Sequence, residues 1–138
     1  PGRFMMRLRF ANGIATAPQL RTIAEISRQF GKGFADITTR QQIQLREFTI
    51  NDVPEIWRRL HEVNLVSLQT GMDNIRGVIG CPVAGFTPNE LFDASPVVRE
   101  FTASFVGNRD FTDLPRKFNV GITGCVDAVA NPVKEQRR

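Results

Sequence analysis

The chain has 138 residues, of which 41% are hydrophobic and 23% charged, with a net charge of +4. This length suits one domain or one and a half small ones, and the composition argues against a disordered or fibrous protein. The sequence shows no apolar run long enough to span a bilayer and no secretory signal pattern. We therefore expect no membrane partner and a reducing compartment, either the cytoplasm or a plastid stroma.

The basic residues are strongly skewed towards arginine. Of the 18 lysines and arginines, three are lysine (Lys32, Lys117 and Lys134), which leaves 15 arginines. A guanidinium offers a planar fork that binds carboxylate or phosphate oxygens in pairs, so the skew fits an anionic partner. GC-rich codon usage would give the same skew, and the composition alone leaves both explanations open.

The first predicted elements are a strand and a helix. Residues Phe4–Phe10 alternate, with apolar side chains on one face and Met5, Arg7 and Arg9 on the other, which predicts a half-buried strand with a basic open face. Thr16 and Gln19 have capping-box spacing, and the helix that they begin is expected to reach Phe30. Leu20 is expected on its buried face.

The stretch Thr38–Arg46, TTRQQIQLR, follows a short predicted strand over Phe34–Thr38. It reads as a turn that leads into a strand over Gln42–Ile50, with amide and guanidinium side chains on one face and Ile43 and Leu45 on the other. The stretch contains no acid and no lysine, which indicates a surface for a large anion. A solvent-exposed polar strand face is the alternative, and this stretch alone does not decide between them.

A second helix is predicted after a cap at Asn51 or Asp52, with Val53, Ile56, Trp57, Leu60 and Val63 on its core face. The order strand–helix–strand–strand–helix predicts an α+β fold, a ferredoxin-like half-domain with helices on one face of the sheet. We place this half-domain at 1–68. Residues 69–138 would form part of a second α+β domain, with a helix over Asp93–Val106 with Val97 turned inward, a strand over Phe118–Gly124 and a frayed tail over 126–138.

Further candidate anion-binding residues lie in that second part. Arg116, Lys117 and Asn119 fall in LPRKFNV, where Lys117 and Asn119 would share one strand face, and Arg76 falls in the glycine-bounded DNIRG. Each alone reads more simply as a solvated surface residue. Their occurrence together with the basic strand faces is what favours a shared site.

Other chemistry is disfavoured. KGFADIT begins like an RNA-binding strand signature, but Asp36 occupies a position where a base-stacking aromatic is needed, so we expect no nucleic-acid partner. Cys81 and Cys125 form no CxxC pair, so a metal site built from this chain alone is not expected. His61 reads as a surface imidazole.

The motifs FMMRLR, ADITTRQQIQLR, SLQTGMDNIRG, CPVAG and LPRKFNV together resemble the N-terminal half of the sirohaem-dependent nitrite and sulfite reductases. The resemblance runs from about Phe4 to Gly124 and points to the ferredoxin-dependent nitrite reductases of cyanobacteria and plastids. It implies sirohaem as cofactor, ferredoxin as electron donor and a six-electron reduction of nitrite to ammonium. It also implies a [4Fe-4S] cluster whose cysteine ligands belong to a later half of such proteins.

On matching positions, the resemblance implies two sets of residues. The residues expected over the iron, where nitrite binds, are Arg7, Arg76, Lys117 and Asn119. The residues expected to bind sirohaem or shape its turn are Arg9, Thr38, Thr39, Arg40, Gln41, Gln44, Arg46 and Arg116.

Substrate choice is expected to depend on one position. In this resemblance, sulfite reductases carry lysine at the positions of both Lys117 and Asn119, whereas nitrite reductases carry lysine and then asparagine, as here. Nitrite is therefore favoured over sulfite. We also expect that the chain is part of a larger protein, lacks the second half and is inactive alone. Besides a sulfite reductase, two alternatives remain. One is a stand-alone tetrapyrrole-binding module without catalysis, and the other is a basic nucleic-acid-binding domain.

Overall fold

The computed structural model describes residues 2–126 and shows an α+β fold. The strands are β1 (Phe4–Leu8), β2 (Ala35–Ile37) and β3 (Ile43–Phe48). The helices are α1 (Ala17–Phe30), α2 (Val53–Glu62) and α3 (Ser95–Phe105), joined in places by single 3-10 turns. The predicted fold class and the element order of the first part are therefore confirmed.

The three strands form one antiparallel sheet in the order β1-β3-β2. One face of it is closed by the helices: Leu8 and Leu45 are buried in one cluster with Ile26 of α1 and Ile56 of α2. Because side chains alternate along a strand, the opposite face carries Arg7, which lies opposite Gln44 in the β1–β3 register. This opposite face, called the open face below, positions the candidate site.

The predicted capping box of α1 is present. Thr16 N–H donates to the Gln19 side chain at 2.9 Å, and Gln19 N–H donates back to Thr16 Oγ1 at 3.4 Å. Two orphan donors at the helix start are thereby satisfied locally, which is why the sequence signal was sufficient. Three predicted core positions are wrong, since Leu20, Trp57 and Val97 are each 47–48% exposed.

The strand predicted over Phe118–Gly124 is wrong. Phe118 and Gly121 make only isolated parallel bridges, to Ile75 and Ile79. The partners are four residues apart on one segment and three on the other, so one extra residue interrupts the ladder. A second buried cluster, which includes Ile75, Val78 and residues of α3, packs beside these bridges. The boundary at residue 68 stays a prediction. So does the frayed tail expected over 126–138, which from residue 127 onward lies outside the described residues.

Across residues 2–126, no helix combines the length and apolar character that a bilayer crossing requires.

The exposed side of α2 gives a prediction for acid stability. Glu55 accepts hydrogen bonds from Arg58 at 2.7 Å and Arg59 at 2.8 Å, and these bonds lower the pKa of Glu55 from 4.5 to about 2. A lowered carboxyl pKa stabilises the fold above pH 4.5, and this contribution is lost as the pH falls towards 2. Glu55→Gln should therefore show a smaller drop in unfolding free energy between pH 5 and pH 2.

Urea unfolding at several pH values measures this slope. Glu100→Gln is the matched control, because Glu100 is exposed on another helix and has no ion pair within residues 2–126. A Glu55→Gln slope equal to that of the unmodified chain would contradict the assignment.

Candidate anion-binding site

A cavity of about 220 Å³ lies on the open face of the sheet. It is bounded by the end of β1, the 38–41 turn, the start of β3 and a loop from the second part of the chain. The residues that line it are Arg7, Arg9, Thr38, Thr39, Arg40, Gln42, Gln44, Thr70, Arg76 and Gly77.

Positive charge in this cavity is not compensated. Within residues 2–126, none of Arg7, Arg40 and Arg76 forms an ion pair with a carboxylate. Burial lowers the pKa of Arg7, and the neighbouring charges of Arg76, Arg40 and Arg46 lower it further. Like charges held together without counterions raise the electrostatic free energy, and a bound anion would relieve it.

Arg40 carries the most specific sign of a missing acceptor. The turn that contains it closes through Gln41 N–H to Thr38 O at 3.0 Å, with Gln41 in the left-handed region at φ 55°. One end of the Arg40 guanidinium donates to Asn119 Oδ1 at 3.1 Å. The Arg40 Nε is buried and has no hydrogen-bond partner. A buried orphan donor costs free energy, so an anion oxygen is the group that this position fits.

Two more donors face the cavity. Arg7 uses one nitrogen to bind Thr70 O at 2.8 Å, which fixes the side chain across the open face. Gln44 is 7% exposed, yet its side chain makes no hydrogen bond to any residue that the structure describes. Its amide is therefore free to bind a ligand in the cavity.

Other candidate residues are engaged within the protein. Arg46 forms an ion pair with Asp36 of the adjacent strand at 2.6 Å. The Gln41 side chain clamps Gly80, donating to its carbonyl and accepting from its N–H, both at 3.1 Å. Arg9 is 6% exposed and donates to four backbone carbonyls. These three side chains hold the walls of the cavity together.

The LPRKFNV residues lie apart from the cavity lining. Arg116 and Lys117 are exposed, and their side chains make no hydrogen bond or ion pair to the described residues. Asn119 is also exposed, and among the described residues its side chain bonds only Arg40. Because the predicted strand is interrupted, its alternation does not bring Lys117 and Asn119 into the lining.

Three lining residues were missed: Gln42, Thr70 and Gly77. Gln42 is 2% exposed, and its amide bonds both backbone groups of Phe10 at 2.9 Å. A Cβ on Gly77 would lie 2.6 Å from the Gln42 side chain, so glycine is what allows the two segments to meet. The sequence indicates Gly77 only as a loop residue. The alternation along the strand places Gln42 and Gln44 on the same face and does not distinguish their surroundings.

Comparison with known proteins bears directly on this site. Residues 1–63 match the family model described as "Nitrite/Sulfite reductase ferredoxin-like half domain". Residues 71–133 match "Nitrite and sulphite reductase 4Fe-4S domain". The two models follow each other along almost the whole chain. The chain belongs to the nitrite and sulfite reductase family.

Individual members of this reductase family are similar over most of the chain. The ferredoxin–nitrite reductase of Leptolyngbya laminosa is 47% identical over 91% of this chain, and the chloroplastic ferredoxin–nitrite reductase of Arabidopsis thaliana is 47% identical over 95%. The chain spans only 26% and 23% of these relatives. The solved structure of Mycobacterium tuberculosis NirA matches 88% of the chain with a TM-score of 0.83 and 40% identity, and 22% of NirA is covered.

The two cofactors that this reductase family implies differ in how well the described residues suit them. Unpaired guanidiniums, the orphan Nε of Arg40 and the free amide of Gln44 are the donors that a polycarboxylate tetrapyrrole such as sirohaem needs. The described residues do not suit an iron–sulfur cluster, because residues 2–126 contain no group of three or more His, Cys, Asp or Glu that could hold a metal. Cys81 and Cys125 do not form a disulfide with each other.

Proposed function

We propose that the chain forms the anion-pocket part of a ferredoxin-dependent nitrite reductase, and that its cavity binds sirohaem carboxylates beside nitrite. The observation that carries this proposal is the set of unpaired guanidiniums with the buried, partnerless Arg40 Nε. The names of the two relatives support nitrite and ferredoxin as substrate and electron donor.

Within this proposal, the lining residues divide the work. Arg40 and Gln44 bind carboxylate oxygens, and Thr38 and Thr39 shape the turn that presents Arg40. Arg46 and Gln41 support that wall through Asp36 and Gly80. Arg116 is proposed to reach the cofactor from outside the cavity.

Arg7 and Arg76 are proposed to hold the oxygens of nitrite, with Lys117 and Asn119 closing the same side. Sirohaem, when bound, would supply the redox chemistry for the six-electron reduction of nitrite. Positive side chains fixed in place before the reaction stabilise the charge that develops on each oxygen as an N–O bond breaks. The Lys117 ammonium, on a flexible stem, is suited to donating a proton there.

The [4Fe-4S] cluster, the ferredoxin contact and a cytoplasmic or stromal location complete the proposal. They rest on the family and on the names of its members, including the chloroplastic relative. That the chain alone turns over no nitrite stays a prediction.

A tetrapyrrole titration tests the cavity directly. Uroporphyrin, which carries eight carboxylates, or sirohaem itself is added to the chain while the Soret band is followed. We expect a shifted band and saturable binding that weakens steeply with salt, since the contacts are ionic. An unshifted band at low ionic strength would refute the proposed site.

Asn119 gives a prediction for substrate choice in a full-length reductase that contains this segment. Asn119→Lys adds a positive charge beside Arg40, and sulfite is a dianion near neutral pH whereas nitrite is a monoanion. The ratio of sulfite to nitrite turnover should rise by roughly tenfold, from one added charge at short range. Asn119→Gln keeps the amide that accepts from Arg40 and serves as the control.

Steady-state rates with the two anions measure this ratio. A ratio that Asn119→Lys leaves unchanged would remove position 119 from the account of specificity.

A further inference from the structure

Arg9 occupies an unusual place for a residue on a basic strand. The residue is 6% exposed, and its guanidinium donates to four backbone carbonyls: Leu68 and Arg76 at 3.3 Å, Gln69 at 2.5 Å and Ile75 at 3.2 Å. Four of its five N–H groups are therefore used inside the protein. Burial lowers the pKa of Arg9 to about 10, so the side chain still carries its charge at neutral pH.

These four carbonyls belong to the two limbs of one loop. Leu68 and Gln69 begin the loop and Ile75 and Arg76 end it, so one side chain ties both limbs together. The Phe105 ring lies 5.1 Å from the Arg9 Cζ and supports the guanidinium from α3.

The loop needs such a tie because its backbone is in a disfavoured conformation. Gln69 has φ 52° and Met72 has φ 57°, both in the left-handed region that non-glycine residues rarely adopt. Met72 is 82% exposed, so its side chain packs against nothing that would hold it. The Arg9 hydrogen bonds join the two ends of the loop, and the Asn74 side chain donates to Gly71 O at 2.6 Å within it.

The tied loop presents the groups that face the anion. Thr70 O accepts a hydrogen bond from Arg7 at 2.8 Å. Arg9 binds the carbonyl of Arg76, and the Arg76 side chain itself makes no hydrogen bond to any described residue. Both arginines proposed to hold nitrite thus depend on the loop that Arg9 closes.

We propose that Arg9 is a positioning residue that sets Arg76 and the acceptor of Arg7, instead of binding the cofactor itself. The inference rests on the proposed function for the ligand, but the placement of the loop is independent of it. A lysine at this position would keep the charge and lose the fork, because an ammonium cannot reach carbonyls on both limbs with fixed geometry.

Arg9→Lys separates geometry from charge. We expect uroporphyrin binding to weaken on the order of tenfold, as happens when the support of a binding group is removed. Arg3→Lys is the matched control, because exposed Arg3 directly precedes the same strand and, among the described residues, its side chain donates to Glu47 O alone. It should leave the affinity unchanged.

A double-mutant cycle then identifies the residue through which Arg9 acts. The loss caused by Arg9→Lys should largely vanish in an Arg76→Ala background and persist in an Arg40→Ala background, since coupled residues are not additive. Full additivity with Arg76→Ala, or unchanged binding by Arg9→Lys, would overturn the proposal.

Side-chain NMR of the ligand-free chain keeps the two proposals distinguishable. In the unmodified chain, the Arg9 Nε–H should exchange slowly, and in Arg9→Lys the amides of Thr70–Arg76 should become mobile while those of β1 and β3 stay rigid. A loosened loop in a chain that binds no porphyrin would refute the proposed function and leave the positioning role intact. If Arg9→Lys does not fold, the unmodified chain still decides: an Arg9 Nε–H that exchanges as fast as that of Arg76 would overturn the proposal.

Discussion

Replacing Arg40 with alanine should weaken uroporphyrin binding by about 10- to 100-fold. Hydrogen bonds to charged groups contribute about 1.5–3 kcal/mol each, and Arg40 Nε is the one buried guanidinium nitrogen of the described residues that lacks a partner. Soret titration at two salt concentrations measures the effect. The unfolding free energy should change little, since Arg40 forms no ion pair with any carboxylate of residues 2–126.

Arg46→Ala is the matched comparison. Arg46 lies on the same open face, but its nitrogen binds Asp36 at 2.6 Å, so the charge is already partly compensated. We expect a loss well below that of Arg40→Ala. Equal losses in the two variants would mean that general positive charge, and not the orphan donor, governs binding.

These arginines show where sequence reasoning reaches its limit. Arg7, Arg9 and Arg46 all fall on the polar side of alternating strands, and the sequence assigns all three to the anion. In the structure, Arg9 donates hydrogen bonds to four backbone carbonyls and Arg46 forms an ion pair with Asp36. Their partners lie on a loop about sixty residues away and on a neighbouring strand, and periodicity along one strand carries no information about either.

The second large effect concerns the stability of the fold. Gln42→Met should lower the unfolding free energy by about 3 kcal/mol or more. The Gln42 side chain bonds the N–H and carbonyl of Phe10 at 2.9 Å and the carbonyl of Arg40 at 2.8 Å, all out of contact with water or nearly so. Methionine fills the same volume but leaves these groups without partners, at about 1–3 kcal/mol each. Urea unfolding provides the measurement.

Gln44→Met is the control, two residues further along the same strand side. Gln44 is also buried, but its amide bonds none of the described residues. We expect its unfolding free energy to stay within about 1 kcal/mol of the unmodified chain, because no hydrogen bond is lost, while uroporphyrin binding weakens. A similar destabilisation by both substitutions would show that glutamine volume, and not its hydrogen bonds, matters at position 42.

Local signals did predict the elements that depend on local contacts. The Thr16–Gln19 capping box, the end of α1 at Phe30 and the alternation of β1 are each fixed by neighbours in the chain. The strand prediction for 118–124 was wrong because a strand needs a partner in continuous register. The segment from Ile75 to Ile79 bridges to this one with one extra residue between the two bridges. Likewise, the burial of Gln42 depends on Phe10 and Gly77, which only the fold brings to it.

The site therefore cannot be transferred to another protein as one short segment. Three of the contacts that shape it join residues far apart in the chain: 63 residues separate Arg7 from Thr70, 67 separate Arg9 from Arg76, and 79 separate Arg40 from Asn119. Grafting TTRQQIQLR onto another sheet would transfer one of the three unpaired guanidiniums, and it would leave behind the other two and the Thr70 carbonyl that orients Arg7. A redesign of the pocket has to keep the strands and the 68–76 loop together.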